Sequence, residues 1–309
     1  MTLPPAPRPA RHAVSPAPLA AVAGAGFLVL LKAAGARATG SLALGAAALD
    51  SLLDVFISAT GYLVLRRSAA PPDADHAYGH GKFENLAALG QGVLLTLGAG
   101  GLVVAAVGRL RSGVAPEQSA LGVAVLAVSL AVSFWIARHL RRAAATTESP
   151  ALHADSIHYG TDLWVNGAAL AALLIEAATG WAPADPLVAL AVAGLLLRSA
   201  AGLVLEEVGE LSDRGLPEGE LRRIREIVAA FRPQGVVGLH DLRTRRSGGQ
   251  RFIELHLEID RDTTFVDAHD LMVRVLRAIE SELPRSKVFV HGDPVEPGDE
   301  SPSYESSAP

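Results

Sequence analysis

The chain comprises 309 residues, of which 50% are hydrophobic and 19% charged, with a formal net charge of −5 and a mean hydropathy of +0.31. That composition is too apolar for an ordinary soluble domain, and the chain is too long for one simple anchor. The absence of cysteine excludes disulfides, thiolate zinc fingers and thiolate capture of Cu(I), and two methionines are too few for a thioether copper site.

In chain order, residues 1–17 are rich in Pro and Ala, and a disordered N-terminus is expected. The apolar residues then concentrate between Leu19 and Leu205. They fall into six windows, about 18–38, 40–65, 84–108, 119–138, 152–178 and 185–205, each near the ~20 residues a helix needs to cross the hydrocarbon core. The first window is too long for a secretory signal and lacks a cleavage site, so its helix is expected to be retained. Gly, Pro and charge mark the window ends. "RRSAAPPDADHAYGHGK" after the second and "RHLRRAAATTESP" after the fourth read as loops. Six spans put both termini on one side. Arg8, Arg11, Arg66, Arg67, Lys82, Arg138, Arg141 and Arg142 lie on that side, against Arg37, Arg109 and Arg111 opposite. The positive-inside rule then places both termini in the cytoplasm of a multi-pass plasma (inner) membrane protein whose transmembrane domain covers 18–207.

Residues 208–295 read as a soluble domain of helix, strand, strand, helix, strand. "PEGELRRIREIVAAF" and "DAHDLMVRVLRAIESEL" have helical periodicity, while "VVGLHDLRTRR", "QRFIELHLEID" and "KVFVHGD" read as strands. In "FIELHLEI", Ile253, Leu255, Leu257 and Ile259 alternate with Glu254, His256 and Glu258, which puts His256 on the polar face. Residues 296–309 form an acidic tail of low apolar content, expected to be disordered.

The second window holds two aspartates, Asp50 and Asp54, in an otherwise apolar run. At ~1.5 Å per residue both fall near the bilayer midplane, where an uncompensated carboxylate costs several kcal/mol. Their i, i+4 spacing puts them on one helix face. His158 and Asp162 repeat that spacing in the fifth window. Three carboxylates facing one imidazole repel unless a cation sits among them, and this ligand set suits tetrahedral Zn²⁺ while also accepting Cd²⁺, Fe²⁺, Co²⁺ or Ni²⁺. The competing reading is of buried polar groups that only hydrogen-bond helices together.

"DSLLD", "HYGTD", "DADHAYGHGKFE" and "LHDLRTR…IELHLEI…AHDLM…VHGDP", in this order over residues 18–295, resemble the cation diffusion facilitators, in particular the bacterial zinc and ferrous-iron efflux type. The resemblance implies a homodimer of protomers with six transmembrane helices and a C-terminal α+β cytoplasmic domain of ferredoxin-like, metallochaperone-like fold. It also implies exchange of a divalent metal for protons. The transport site then falls on Asp50, Asp54, His158 and Asp162, and a second site on Asp73, His76 and His80 in the loop between helices two and three. A cytoplasmic binuclear zinc cluster falls on His240, His256, His291 and Asp293, with His269 as a bridging or cross-protomer ligand. Lys82 and Asp213 take the positions of an inter-domain salt bridge. The spacing of Asp73, His76 and His80 independently suits metal ligation, although a solvated loop or one meeting anionic headgroups would carry the same residues. Asp75 could replace or supplement Asp73. Asp155 lies on the stripe of His158 and Asp162 and either lines the cytoplasmic approach or caps a helix N-terminus. His12, His139 and His153 are expected to have no ligand role.

The partners expected are Zn²⁺ or another divalent ion, protons, membrane lipid and a second copy, with no nucleic acid. A membrane metalloenzyme would need an open coordination position and a general base, typically on H-E-x-x-H, and that motif is absent. A non-transporting metal sensor or scaffold of the same fold is the remaining rival, and the intact quartet argues against it.

Overall fold

Among the described residues six long helices follow one another: α1 (Ala17–Thr39), α2 (Leu42–Ser68), α3 (Lys82–Ser112), α4 (Ala120–Thr147), α5 (Pro150–Thr179) and α6 (Ala184–Leu211). The computed structural model describes residues 17–39, 42–112, 120–179 and 183–295, and the chain divides into two units between Leu205 and Glu206.

Most of these helices track their apolar windows, but α4 runs on to Thr147. The segment "RHLRRAAATTESP" is therefore mainly helix, a correction with a simple cause: Ala and Arg are among the strongest helix formers, and charge ends a hydrophobic window without ending a helix. The α4–α5 connection shrinks to Glu148, at φ 51°, and Ser149. Ser149 Oγ accepts the Leu152 N–H at 3.4 Å, and Pro150 takes the first helical position, where its missing donor costs nothing. Among the described residues four helical segments are long and apolar enough to cross a membrane, Ala17–Ala38, Lys82–Ser112, Val123–Thr147 and Pro186–Leu211. The expectation was six. The two helices outside this set, α2 and α5, are those that carry Asp50, Asp54, His158 and Asp162.

In the first unit α1, α2, α4 and α5 share one core, with Ala17, Ala21 and Ala25 against Leu65, Ile136, Leu140, Leu152 and Tyr159. Small residues allow this approach. A Cβ on Gly24 would stand 2.6 Å from Ile136 Cδ1, so a larger residue there would displace the Ile136 side chain at the α1–α4 contact. The α3 and α6 helices join through Ala88, Ala154 and Leu203 and through Ala99, Val192 and Leu196. Leu30, Phe56, Leu97, Val104 and Trp164 are exposed, as lipid-facing side chains would be. Ser58 and Tyr159 hydrogen-bond at 2.9 Å, fixing α2 to α5.

The second unit contains α7 (Glu218–Ala229), a 3₁₀ turn (Arg232–Gln234), β1 (Val236–Ser247), β2 (Gln250–Asp260), α8 (Phe265–Glu282) and β3 (Ser286–Val295). Its sheet has the order β1-β2-β3, with β2 antiparallel to β1 and parallel to β3. Among the described residues this matches the ferredoxin-like order β-α-β-β-α-β without its first strand. Ile253, Leu255, Leu257 and Ile259 of β2 are buried against Ile224 and Val228 of α7 and Leu271, Val275 and Ile279 of α8. The α8 residues recur every four positions along one helix face, and each such burial contributes about 1.5–3 kcal/mol. Thr264 caps α8 by accepting the Asp267 N–H. Because both helices pack on one face, the alternate residues of the strands, His240 and His256 among them, lie on the other.

Candidate metal centres

Among the described residues three groups of acids and histidines converge, each with ligand atoms all within 4.8 Å of one another. The first is Asp54, His158 and Asp162. Asp54 stands on α2, and α5 brings His158 and Asp162 to it one turn apart. His158 Nε2 lies 2.9 Å from Asp54 Oδ1, and the His158 ring meets Tyr159 edge-on at 5.6 Å. Asp50 occupies α2 one turn before Asp54, and its side chain lies outside the described residues. Asp155, one turn before His158, is fully buried and accepts Gln91 Nε2–H at 2.7 Å. Carboxylate and imidazole donors packed this closely in an apolar surround fit a divalent cation.

The second group is Asp73, His76 and His80 in the α2–α3 loop. Asp73 Oδ1 accepts the N–H groups of His76 at 2.7 Å and Asp75 at 3.1 Å, a local turn that points the carboxylate at both histidines. His76 Nδ1 lies 3.3 Å from Asp73 Oδ1, and His80 Nε2 lies 3.2 Å from Asp73 Oδ2. The backbone hydrogen bond from His76 holds the Asp73 carboxyl below the usual carboxylate range. His80 is 2% exposed, and neither ring nitrogen has a hydrogen-bond partner within normal geometry. A buried imidazole in that condition suits a cation. Phe83 stacks on it at 5.9 Å. Asp75 contributes its backbone to the turn, and Asp73 is the carboxylate of the three-residue group.

The third group is His240, His256 and Asp293 on three adjacent strands. Register places His240 opposite His256 and His256 opposite His291. Asp293 Oδ2 lies 2.8 Å from His256 Nδ1 and 3.1 Å from His240 Nε2, and Asp293 Oδ1 lies 3.2 Å from His291 Nε2. Burial pushes the Asp293 carboxyl up, but the His256 hydrogen bond and the neighbouring imidazoles outweigh it and leave the group below its ordinary range. His291 is 66% exposed at the rim. His269 stands apart on α8, beside Phe265 at 6.4 Å.

Two acids at this group were not singled out as site residues in the sequence. Glu258 Oε1 lies 3.1 Å from His240 Nδ1, and Asp241 Oδ2 lies 3.7 Å from His256 Nε2. The β2 alternation puts Glu258 on the polar face. It is nevertheless 8% exposed, because its carboxylate fills the space over Gly238, where a Cβ would come within 2.1 Å of Oε2. Asp241 sits at φ 47° inside the irregular register between His240 and Arg243, which no periodicity foretells.

The Lys82–Asp213 pairing would join residues of different units. Within its own unit Asp213 Oδ1 lies 3.6 Å from Arg245 Nη1. His139 stacks on Trp135 at 5.6 Å, His153 is exposed, and His12 lies outside the described residues.

Residues 19–212 match the family model "Cation efflux transmembrane domain", and residues 216–295 match "Cation efflux protein, cytoplasmic domain". The cation-efflux pump FieF of Escherichia fergusonii is 40% identical over 281 residues, covering 91% of this chain and 93% of that protein. FieF of Serratia proteamaculans is likewise 40% identical over 281 residues, with the same coverage. A solved structure of CzrB in its zinc form is 35% identical, with a TM-score of 0.26, covering 26% of this chain and 92% of that one.

Proposed function

The chain belongs to the cation efflux family, the cation diffusion facilitators, and from that premise we propose that it exports Zn²⁺ across the inner membrane in exchange for protons. As a family member it is a multi-pass cation-efflux transporter and not an enzyme. The finer reading is of six spans with both termini cytoplasmic, a ferredoxin-like cytoplasmic domain and a homodimer. The match to the family's cytoplasmic domain favours self-association.

The observation that carries the reading is the meeting of Asp54, His158 and Asp162 from α2 and α5. Asp50, one turn before Asp54, would complete four ligands for the transported ion. Metal ligands must be deprotonated, so metal and protons compete for the same side chains, and release of one is linked to uptake of the other. Alternating access around a fixed site then couples the two gradients. The Asp73–His76–His80 loop would bind metal on the cytoplasmic approach. His240, His256, His291 and Asp293 would hold metal in the cytoplasmic domain, with His269 serving a partner protomer and Lys82–Asp213 linking the domains. The N/O ligand set favours Zn²⁺ and leaves Fe²⁺, Cd²⁺, Co²⁺ and Ni²⁺ as competitors separated mainly by geometry.

The test is flux in sealed proteoliposomes containing the full chain. Zn²⁺ movement that responds to an imposed pH gradient supports the proposal, and no flux of any divalent metal would leave the sensor or scaffold reading.

A further inference from the structure

Lys32 lies well inside α1, and its side chain turns into the protein. It is 8% exposed, and its ammonium donates to Ser51 Oγ of α2 at 2.7 Å, with Ser51 itself fully buried. A buried ammonium is costly unless anions accompany it. The serine hydroxyl is neutral and takes one of three donors. Among the described residues the ammonium makes no ion pair with a carboxylate. What surrounds Ser51 along α2 is telling: Asp50 precedes it directly, and Asp54 follows three residues on, a spacing that leaves Cβ atoms about 5–6 Å apart on a helix. The ammonium therefore stands beside α2 at Ser51, one turn before Asp54 and on the neighbouring helix face.

We propose that Lys32 is the fixed counter-charge of the transport site, a residue that sets the site's net charge without touching the metal. The inference rests on the assignment of Asp50, Asp54, His158 and Asp162 as that site. Among the four proposed ligands three carboxylates carry three negative charges, a divalent ion supplies two positive charges, and Lys32 supplies the third. The loaded ligand set is then balanced within an apolar bundle, with Asp155 outside it and hydrogen-bonded to Gln91. Without Lys32 the loaded site keeps a net negative charge, which attracts the incoming cation more strongly and resists its departure. Lys32 thus trades affinity for release. The hydrogen bond to Ser51 satisfies one ammonium donor, while the helices that leave the side chain 8% exposed keep it at this depth.

The experiment uses the full-length protein in proteoliposomes with Zn²⁺ as the probe. KM and maximal flux are measured for Lys32→Met, Lys32→Gln and Lys32→Arg, with Ser51→Ala and Asp54→Ala in parallel. Lys32→Met and Lys32→Gln should lower both KM and maximal flux about tenfold, the size of effect one unit charge exerts across a partly screened interior. Lys32→Arg should restore both toward the parent values, and Ser51→Ala, which keeps the charge, should hold the parent KM. Lys32→Gln behaving like Lys32→Arg would overturn the proposal, because an amide donor to Ser51 would then suffice. Lost flux at unchanged KM in both neutral variants would overturn it too, as would Ser51→Ala reproducing their KM shift. Full flux in Asp54→Ala would instead sink the site assignment itself, whatever the Lys32 variants do.

Discussion

His158 Nε2 lies 2.9 Å from Asp54 Oδ1 across 104 residues of sequence, and the two groups clamp α5 to α2 inside the apolar bundle. If this is the transport site, removing one carboxylate leaves an incomplete ligand shell and unbalanced buried charge. Asp54→Ala and Asp162→Ala are each expected to cut Zn²⁺ flux by more than about 100-fold, beyond the usual loss for an outer-shell change, while circular dichroism stays unaltered. Undiminished flux in either variant would refute the assignment.

Asp73 gathers two backbone donors and two imidazoles, so loop metal binding should fail when any of the three side chains is removed. Titration calorimetry on the full chain should show one fewer metal equivalent per protomer for His80→Ala and for Asp73→Ala. Asp73→Ala also deletes the acceptor that shapes the turn, so its loss should be the harder to rescue with excess metal. Because the Asp73 carboxyl is held below its ordinary range, it should remain an anionic ligand well into the acid range, and Asp73 protonation should not be what releases the metal in mild acid. An unchanged stoichiometry in His80→Ala would discard the loop as a metal site.

In the cytoplasmic unit, a metal selective for the folded state raises stability by about 2.7 kcal/mol at a hundredfold excess over Kd. Scanning calorimetry should show a zinc-dependent rise in Tm that His256→Ala reduces. Glu258→Gln should weaken metal affinity about 10–100-fold without abolishing binding, because a carboxylate on Nδ1 of His240 orients that ring for its other nitrogen to bind. Equal affinities for parent and Glu258→Gln would show the contact to be structural.

Much of this was legible beforehand, and the failures share a cause. Periodicity and window length located all six long helices and the αββαβ order, because burial of apolar residues dominates both. It stopped α4 at Arg138, since hydropathy measures lipid contact and not helix propensity. Lys32 escaped notice because one lysine barely alters an apolar window, although its ammonium meets Ser51 in the helix interface. Glu258 and Asp241 enter the third cluster through close backbone approach and a register shift, features of tertiary packing that leave no mark on alternation.

Glu220 ties the start of α7 to the hairpin, accepting Arg246 Nη2–H at 2.5 Å and Arg251 Nε–H at 2.6 Å. Burial pushes its carboxyl up, but the Arg251 hydrogen bond and both guanidinium charges outweigh that and hold it below the ordinary value. A depressed folded pKa contributes stability that is present above the unfolded value, about 4.3, and is lost as pH falls through the folded one. Glu220→Gln should therefore cost about 1 kcal/mol at neutral pH, discounted for solvent screening. Its unfolding curve should converge with the parent's at strongly acid pH. A penalty independent of pH would mean that shape, not charge, holds this corner.

In the proposed exchange, protons and Zn²⁺ would compete for His158 and the three aspartates, and imidazole ordinarily titrates nearest neutral pH of these groups. The four side chains would then respond as one coupled system, so no single group can be assigned the whole exchange. An inward proton gradient should accelerate outward Zn²⁺ movement, measured by stopped-flow fluorescence in vesicles across a range of pH. His158→Asp keeps four ligands but exchanges the imidazole for a fourth carboxylate, so its flux should persist to lower pH with an altered order of preference among Zn²⁺, Cd²⁺ and Fe²⁺. Flux indifferent to the gradient in the parent protein would make the transporter a uniporter and refute exchange. Matching pH profiles for parent and His158→Asp would remove only the special role of His158, because the remaining carboxylates could still carry the protons.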